Sequence, residues 1–509
     1  MKLNAWMTAA GVGILLLPAF LIGWLGGEFR QLLTPYFLLN WDPDYGYLFN
    51  GLAIYSGVGP THIDHPGTTL QIAITAFLAV SEWGTSASQL YTRVLADPES
   101  YLLRINQGLV AANALVAILS GLVVWRRFNS LAAAILAPVG IFLSPSALLG
   151  MGRVTPEPML VIVSLLVLIV AVMTGKCHER THRVGALILS GLLVGAGLST
   201  KLTFLPILAL GYYFARSRVE ARRWILFVGV GFLICTTPWL LRLRNYFDFL
   251  RWFTNLSVGA GIYGGGPRTV IDAAAYLPSL LDLIRNEWMY ASVILTSALF
   301  AWLGRNWEGE EGVARQVWLD WRRLLLSLLL VHCICFLLVA KHPQSTRYLI
   351  PCVALAGFTL NLSLMVWGRA RPDRHWRGAQ LLAITLAAGL AWQALSIASE
   401  AAVNTKLMQI GAFERQQAML RKEPYRSCIQ VHRDSSTPQF ALAFGLTWGK
   451  ARPDIAAEVE RSSQFSDVFF YDPNLRKFYS VVGRLVDEKE IRQSGRCVVL
   501  LDVMDLKML

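Results

Sequence analysis

Apolar runs long enough to cross a bilayer recur along this chain, and they constrain its fold more than any motif does. A membrane span needs ~20 mostly apolar residues. Runs near that length fall at 7–27, 103–125, 130–149, 158–174, 184–200, 202–215, 224–241, 290–304, 324–340, 348–367 and 379–399, eleven in all. Lipid leaves no water for exposed backbone, so these runs predict an α-helical polytopic membrane protein. Composition agrees: 16% of residues are charged, against the ~25% usual in soluble domains. The first run follows Met1 and Lys2 with no small-residue cleavage site, which predicts an uncleaved helix rather than a signal peptide. Seven cysteines show no CxxC or Cys/His spacing, so no zinc or iron–sulfur module is expected.

The net charge of +13 would suggest nucleic acid in a soluble protein. Here it lies in the connections. Arg126-Arg127, 175–183, 216–223, 305–323 and 368–378 are basic or mixed-basic, whereas 30–101 has only Arg30 and Arg93 against six acidic residues. The positive-inside rule then puts the N-terminus and basic loops in the cytoplasm and the loop 30–101 on the outer face. Nucleic acid is not an expected partner; membrane lipids are. With eleven spans the tail 401–509 faces outward too. The weak point is 184–215, apolar for 32 residues except for Ser199-Thr200-Lys201. A single helix there would be ~48 Å long against a ~30 Å core. Two short spans turning near Lys201 fit better, and they place that lysine at the outer face.

The tail changes texture near Tyr425. "CIQVH", "DVFFYD", "KFYSVVG" and "CVVLLDV" are strand-like, with helix-like stretches at 438–450, 455–462 and 487–493 between them. Strands alternating with helices predict a small α/β domain over about 425–509. Cys428 and Cys497 lie in its expected strands, either as a disulfide or as two buried thiols. The chain therefore divides into a membrane module, 1–400, and an outer tail, 401–509.

Ionisable residues cluster on the face assigned to the outside. Asp42-Pro43 reads as a helix cap followed by proline at the first helical position. Asp44 is two residues on, so the two carboxylates point in different directions on a helix. "HIDHPGTT" holds His62, Asp64 and His65 at the head of an apolar helix over 68–81, a setting suited to phosphate. Arg153 and Glu157 head the fourth span, and Lys201 sits at the tight turn. Arg242 and Arg244 follow the seventh span; His342, Arg347 and Tyr348 join the ninth to the tenth. Any one of these is ordinary as an anchor at a span end. Together, basic residues beside carboxylates on the outer face suit a membrane-embedded anion such as a lipid phosphate.

In this order the pieces "WDPDYGYLFNGL", "DHPG", "GRVTPEP", "GLLVGAGLSTKLTFLP", "TPWLLRLRNYF" and "STRYLIP" resemble the glycosyltransferase C superfamily. The resemblance is to its bacterial branch, related to protein mannosyltransferases and lipid A aminoarabinose transferases, and covers roughly residues 5–400. It implies a glycosyltransferase C-like fold and transfer of a sugar from a polyprenyl-phosphate donor at the periplasmic face of the inner membrane. The acceptor is a lipid, glycan or protein hydroxyl. A carboxylate, Asp42 first and Asp44 second, would be the general base. Lys201, His65, Arg347, Arg242 and Arg244 would hold the leaving phosphate. Asp64, His62, Tyr45, Arg153, Glu157, His342 and Tyr348 would contact substrate. No cofactor is expected, since side-chain cations can stabilise the charge; a divalent metal, as in relatives that move oligosaccharides, is the alternative. Two departures stand out: Pro43 separates acidic residues that the family places side by side, and His65 occupies a position that is often lysine. The rival readings are a lipid-linked sugar flippase, a polymerase or ligase using pyrophosphate-linked donor, and an inactive scaffold.

Overall fold

A computed structural model describes residues 5–38, 44–63, 67–174, 180–257, 273–304, 313–340, 346–369, 376–433, 437–449, 459, 468–472, 477–492, 495–501 and 506–508. Helix α1 (Ala5–Leu32) leads to four helices of the first long connection: α2 (Asp44–Tyr55), α3 (Thr68–Ser81), α4 (Ala87–Ala96) and the head of α5 (Pro98–Phe128). Their boundaries are chemical. Ser86 and Gln89 form a reciprocal capping box at α4, and the Asp97 side chain caps α5 ahead of Pro98. The helix expected over 68–81 is α3.

The bundle continues with α6 (Leu131–Val139), α7 (Pro145–Met151), α8 (Pro156–Thr174), α9 (Arg180–Thr200), α10 (Gly211–Phe214) and α11 (Arg218–Cys235). After these come α12 (Arg244–Ser257), α13 (Ala273–Asn286), α14 (Trp288–Leu303), α15 (Val313–Val339), α16 (Ile350–Arg369) and α17 (Trp376–Leu420). Among the described residues six helices are long and apolar enough to cross a membrane, or seven if 131–143 and 145–151, bent by 88°, form one broken span. Several of the eleven apolar runs therefore differ from a single α-helix of span length. The run 130–149 breaks at Ser144, where the side chain caps the next helix. The run 202–215 is a 3-10 helix over Leu202–Leu210, with Pro206 inside it, followed by the single turn of α10. Proline removes a backbone donor that a regular α-helix would use. The run 290–304 is a 16-residue helix.

The expected break at Lys201 is present: α9 stops at Thr200, Lys201 is extended, and the chain turns into the 3-10 helix. Helices α9 and α11 lie backbone to backbone. A Cβ at Gly195 would sit 2.2 Å from the Val228 carbonyl oxygen, the close approach that small residues permit in lipid. Helix α16 is the most enclosed span, its hydrophobic window 94% buried by neighbours.

Helix α17 has 45 residues, ~68 Å at 1.5 Å per residue, so it rises well past a ~30 Å hydrocarbon core. At its far end stands the small domain. Six strands, β1 (Ile429–His432), β2 (Val468–Asp472), β3 (Lys477–Ser480), β4 (Leu485–Val486), β5 (Val498–Leu501) and β6 (Leu506–Met508), form one sheet in the order β4-β3-β2-β1-β5-β6. The central strand β1 runs parallel to β2 and β5, and the other pairs are antiparallel. Helix α18 (Pro438–Gly449) makes the crossover from β1. Strands β4 and β6 are too short to signal themselves in the sequence, and 455–462 lies outside the described residues apart from Val459. Of the two readings for Cys428 and Cys497, the disulfide is the one found.

Candidate active site

The turn Gly152 to Thr155 between α7 and α8, with the first turn of α8 that follows it, presents two oppositely charged side chains to two different partners. Arg153 reaches the carboxylate of Asp44, with Nη2 at 2.9 Å and Nε at 3.3 Å from Oδ2. The backbone N–H of Val154 donates to the other oxygen, Oδ1. Asp44 is the first residue of α2 and fully buried, while the Arg153 side chain is 16% exposed. Guanidinium and amide thus engage both oxygens of the carboxylate. Arg30, near the end of α1, donates to the Gly152 carbonyl at 3.2 Å and lies 3.9 Å over the Tyr36 ring, fixing the turn from behind.

Four residues after Arg153, Glu157 in the first turn of α8 accepts from Lys201 Nζ at 2.8 Å. Both side chains are sealed, 4% and 3% exposed. Lys201 Nζ also lies 5.2 Å from the Tyr348 ring centroid, and the Arg347 guanidinium lies 5.7 Å from the same ring. A buried ammonium placed against one carboxylate and one aromatic face is a preorganised cation.

The loop before α3 is stitched to the end of α9. Gly67 donates to the Thr200 carbonyl at 3.0 Å, and Thr69 Oγ1 meets Ser199 Oγ at 2.6 Å. Gly67 has a φ of 65°, and a Cβ there would also lie 3.1 Å from the Tyr47 ring, so glycine suits it on both counts. On the other flank His62 is buried, its Nε2 3.4 Å from Tyr47 Oη, and its backbone N–H donates to Asn50. Asp64 and His65 belong to the span between these two anchors and lie outside the described residues, as do Asp42 and His342.

Tyr45 is buried and donates to Glu99 Oε1 at 3.0 Å, while Glu99 also accepts the N–H groups of Tyr36 and Phe37. Burial, and then the adjacent carboxylate, hold the Tyr45 phenol well above its ordinary range. Arg242 is half-buried at the end of the 3-10 helix Thr237–Arg242, against the turn at Gly59, and Asn245 donates to the Pro60 carbonyl. Arg244 stands apart: its side chain is 77% exposed and faces Asp248 one helical turn away. The structure thus brings Asp44 to Arg153 and Lys201 to Glu157 and Tyr348 around the 152–157 turn, with Arg347 over the same Tyr348 ring, Tyr45 beside Asp44 on α2 against Glu99, His62 against Tyr47, and Arg242 against the Gly59 turn.

Two carboxylates of this region escaped the sequence reading. Glu99 follows an Asp-Pro helix start that already accounts for the local acidity, and Glu287 looks like a polar flank of the eighth run. The docking of the small domain was also unannounced. Helix α18 packs directly on α2, and Ala441, Leu442, Ala443 and Leu446 share one apolar core with Tyr45, Tyr47, Leu48 and Phe49. A Cβ at Gly445 would lie 2.6 Å from the Phe49 ring and 3.0 Å from the Tyr45 carbonyl oxygen. No metal-sized group of three His, Cys, Asp or Glu side chains occurs among the described residues.

No family model matches the sequence, and no curated protein matches it. Solved structures do. ArnT from Cupriavidus metallidurans in the apo state superposes with a TM-score of 0.50 at 16% identity, covering 92% of this chain and 94% of that one. ArnT from the same organism bound to undecaprenyl phosphate gives 0.46 at 15% identity, covering 82% and 73%. The match to the apo structure over nearly the whole length shows a shared fold: this chain is a polytopic helical protein folded like ArnT, with a small sheet domain at its C-terminal end.

Proposed function

We propose that this protein is a glycosyltransferase that moves a sugar from a polyprenyl-phosphate carrier to a hydroxyl of a lipid, glycan or protein acceptor. In this reading it sits in the bacterial inner membrane with the N-terminus cytoplasmic, and 401–509 and the active site periplasmic. The observation that carries the proposal is the 152–157 turn, which sets a buried ammonium and a buried carboxylate side by side at the domain end of a glycosyltransferase C fold.

The chemistry has two demands. The acceptor hydroxyl must lose a proton, and the departing lipid phosphate must be stabilised as its charge develops. Asp44 already accepts from Arg153 and Val154 on both oxygens, an arrangement suited to anchoring the head of α2. Asp42, two residues earlier, is therefore the assigned base. Lys201 is the principal phosphate cation, with Arg347 beside Tyr348, and His65 is assigned to the same phosphate from its sequence position two residues before Gly67. Arg242 serves the rim. Glu157 orients Lys201, and Arg153 orients Asp44.

The test is turnover. Wild type and Asp42→Asn, purified in detergent, are incubated with radiolabelled polyprenyl-phosphate monosaccharides and membrane extract, and release of free polyprenyl phosphate is followed. Loss of a general base predicts a fall of roughly 10²–10⁴-fold. Equal release from both variants moves the role to Asp44. Absence of release from every donor defeats the transferase reading and brings a flipping assay forward.

A further inference from the structure

Glu287 is a buried carboxyl that the proposed chemistry does not use. It occupies the N-cap position of α14 without a side-chain cap hydrogen bond, is 1% exposed, and has the hydroxyls of Ser144, Ser146 and Thr346 beside its carboxyl. Its Oε2 has no hydrogen-bond partner. The three hydroxyls come from two segments that lead into the site. Ser144 caps α7 and Ser146 lies in its first turn, and α7 runs straight into the 152–157 turn. Thr346 opens the 3-10 helix Thr346–Leu349, whose next two residues are Arg347 and Tyr348. Ser146 and Thr346 are also hydrogen-bonded to each other.

A carboxyl in this place has few structural excuses. An apolar cap at the head of α14 would avoid the desolvation of an acid, and a serine pair alone would join the two segments. What the carboxyl adds is a group whose charge can change. Burial pushes Glu287 from 4.5 up to about 7. Titratable or charged residues on the elements around it include Tyr276, Asp282 and Arg285 on α13, Tyr290 on α14, His332, Cys333 and Cys335 in the last two turns of α15, Cys352 in the first turn of α16, and Arg347 and Tyr348 beside Thr346; α7 brings none.

We propose that Glu287 is a positioning residue that clamps the Arg347–Tyr348 segment to α7 and, by its charge, sets how tightly the site holds a lipid phosphate monoester. This rests on the donor-phosphate reading above. Ionised, it adds a buried negative charge behind the segment that carries Arg347; protonated, it keeps its place among the three hydroxyls without that charge. Affinity for the phosphate head group therefore rises as pH falls through neutrality. The head group's own second ionisation, near 6, falls in the same window, so only the difference between wild type and variant is diagnostic.

The experiment is binding of undecaprenyl phosphate to purified wild type and Glu287→Gln at pH 6 and pH 8. The expected result is an affinity loss in wild type, from pH 6 to pH 8, roughly fivefold or more beyond that of the variant, the low end of ordinary coupling between sites. Thr346→Val, which removes a clamp hydroxyl but keeps the acid, should weaken binding at both pH values and retain the pH step. Identical pH dependence in wild type and Glu287→Gln overturns the inference while leaving the donor reading intact. If Glu287→Gln does not fold, an unchanged affinity in Thr346→Val overturns it instead. Absence of binding by wild type at either pH removes the donor reading and the inference together.

Discussion

Two buried ion pairs hang from the same turn, yet they are held in different ways. Asp44 and Arg153 meet through a guanidinium fork reinforced by a backbone amide, and the arginine keeps partial contact with solvent. The covering for this pair is an extramembrane helix, α2, gripped by α18 of the small domain. Lys201 and Glu157 meet through one Nζ–Oε1 distance of 2.8 Å, and both side chains are almost wholly buried. The first pair resembles a latch assembled from outside the bundle; the second is part of the bundle. A charge with a route to water can be left unpaired at moderate cost, and a sealed one cannot.

That contrast can be broken by experiment. The largest effect is expected from Lys201→Met, which removes the buried ammonium from Glu157 and should cost about 3–5 kcal/mol of stability. Thermal unfolding in detergent measures it, and adding Glu157→Gln should restore most of the stability without restoring turnover. If the single variant unfolds like wild type, the second pair is not sealed as described. Next comes the disulfide, which joins residues 69 apart. Its loop-closure stabilisation is about 4 kcal/mol in the chain-entropy picture. Replacing Cys428 and Cys497 by serine should speed hydrogen exchange in α18 and α2 while leaving α8 and α16 unchanged. Equal acceleration in all four would erase the distinction between outer latch and inner bundle.

Glu287 gives a third, pH-dependent probe on the inner side. Its folded-state value is raised from 4.5 to about 7, so between those limits the folded protein holds a proton that the unfolded chain has lost. The corresponding stabilisation is full below 4.5 and is gone above 7. At 1.36 kcal/mol per unit it amounts to about 3 kcal/mol. Stability measured across this range should fall by that much more in wild type than in Glu287→Gln. The smallest effect is expected at the α2–α18 contact. Gly445→Val drives a side chain into Phe49 and should cost about 1–3 kcal/mol, lowering turnover while preserving the Lys201 environment.

The sequence announced the inner pair's position better than its partnership. Polar residues interrupting a long apolar run locate Lys201, and the Arg153–Glu157 turn stands out at the head of a span. Neither reveals that Arg153 serves Asp44, 109 positions away, while Glu157 serves Lys201. Those choices are made by packing of α2, α8 and α9, which no local pattern encodes. Asp44 looked like half of an acidic motif because only its burial against Val154 shows that both oxygens are engaged. Strand-like texture revealed the small domain's sheet, but α18 carries no mark of its target, since apolar alanines and leucines suit any core. Glu287 was hidden for the opposite reason: a glutamate at a span end has an adequate local explanation.

The disulfide has a mechanical consequence. Covalently, Cys428 and Cys497 form a shortcut around everything between them, including α18 and strands β1 to β4. Tension applied to the C-terminus travels across the sulfur bridge into α17 and then into the membrane, bypassing the helix that rests on α2. With the bridge reduced, the same pull continues past Cys497 along the chain through β4, β3 and β2 to α18, so traction on the tail is delivered to the head of α2. The bridge acts as a strain relief, isolating α2 from traction on the strands that follow Cys497.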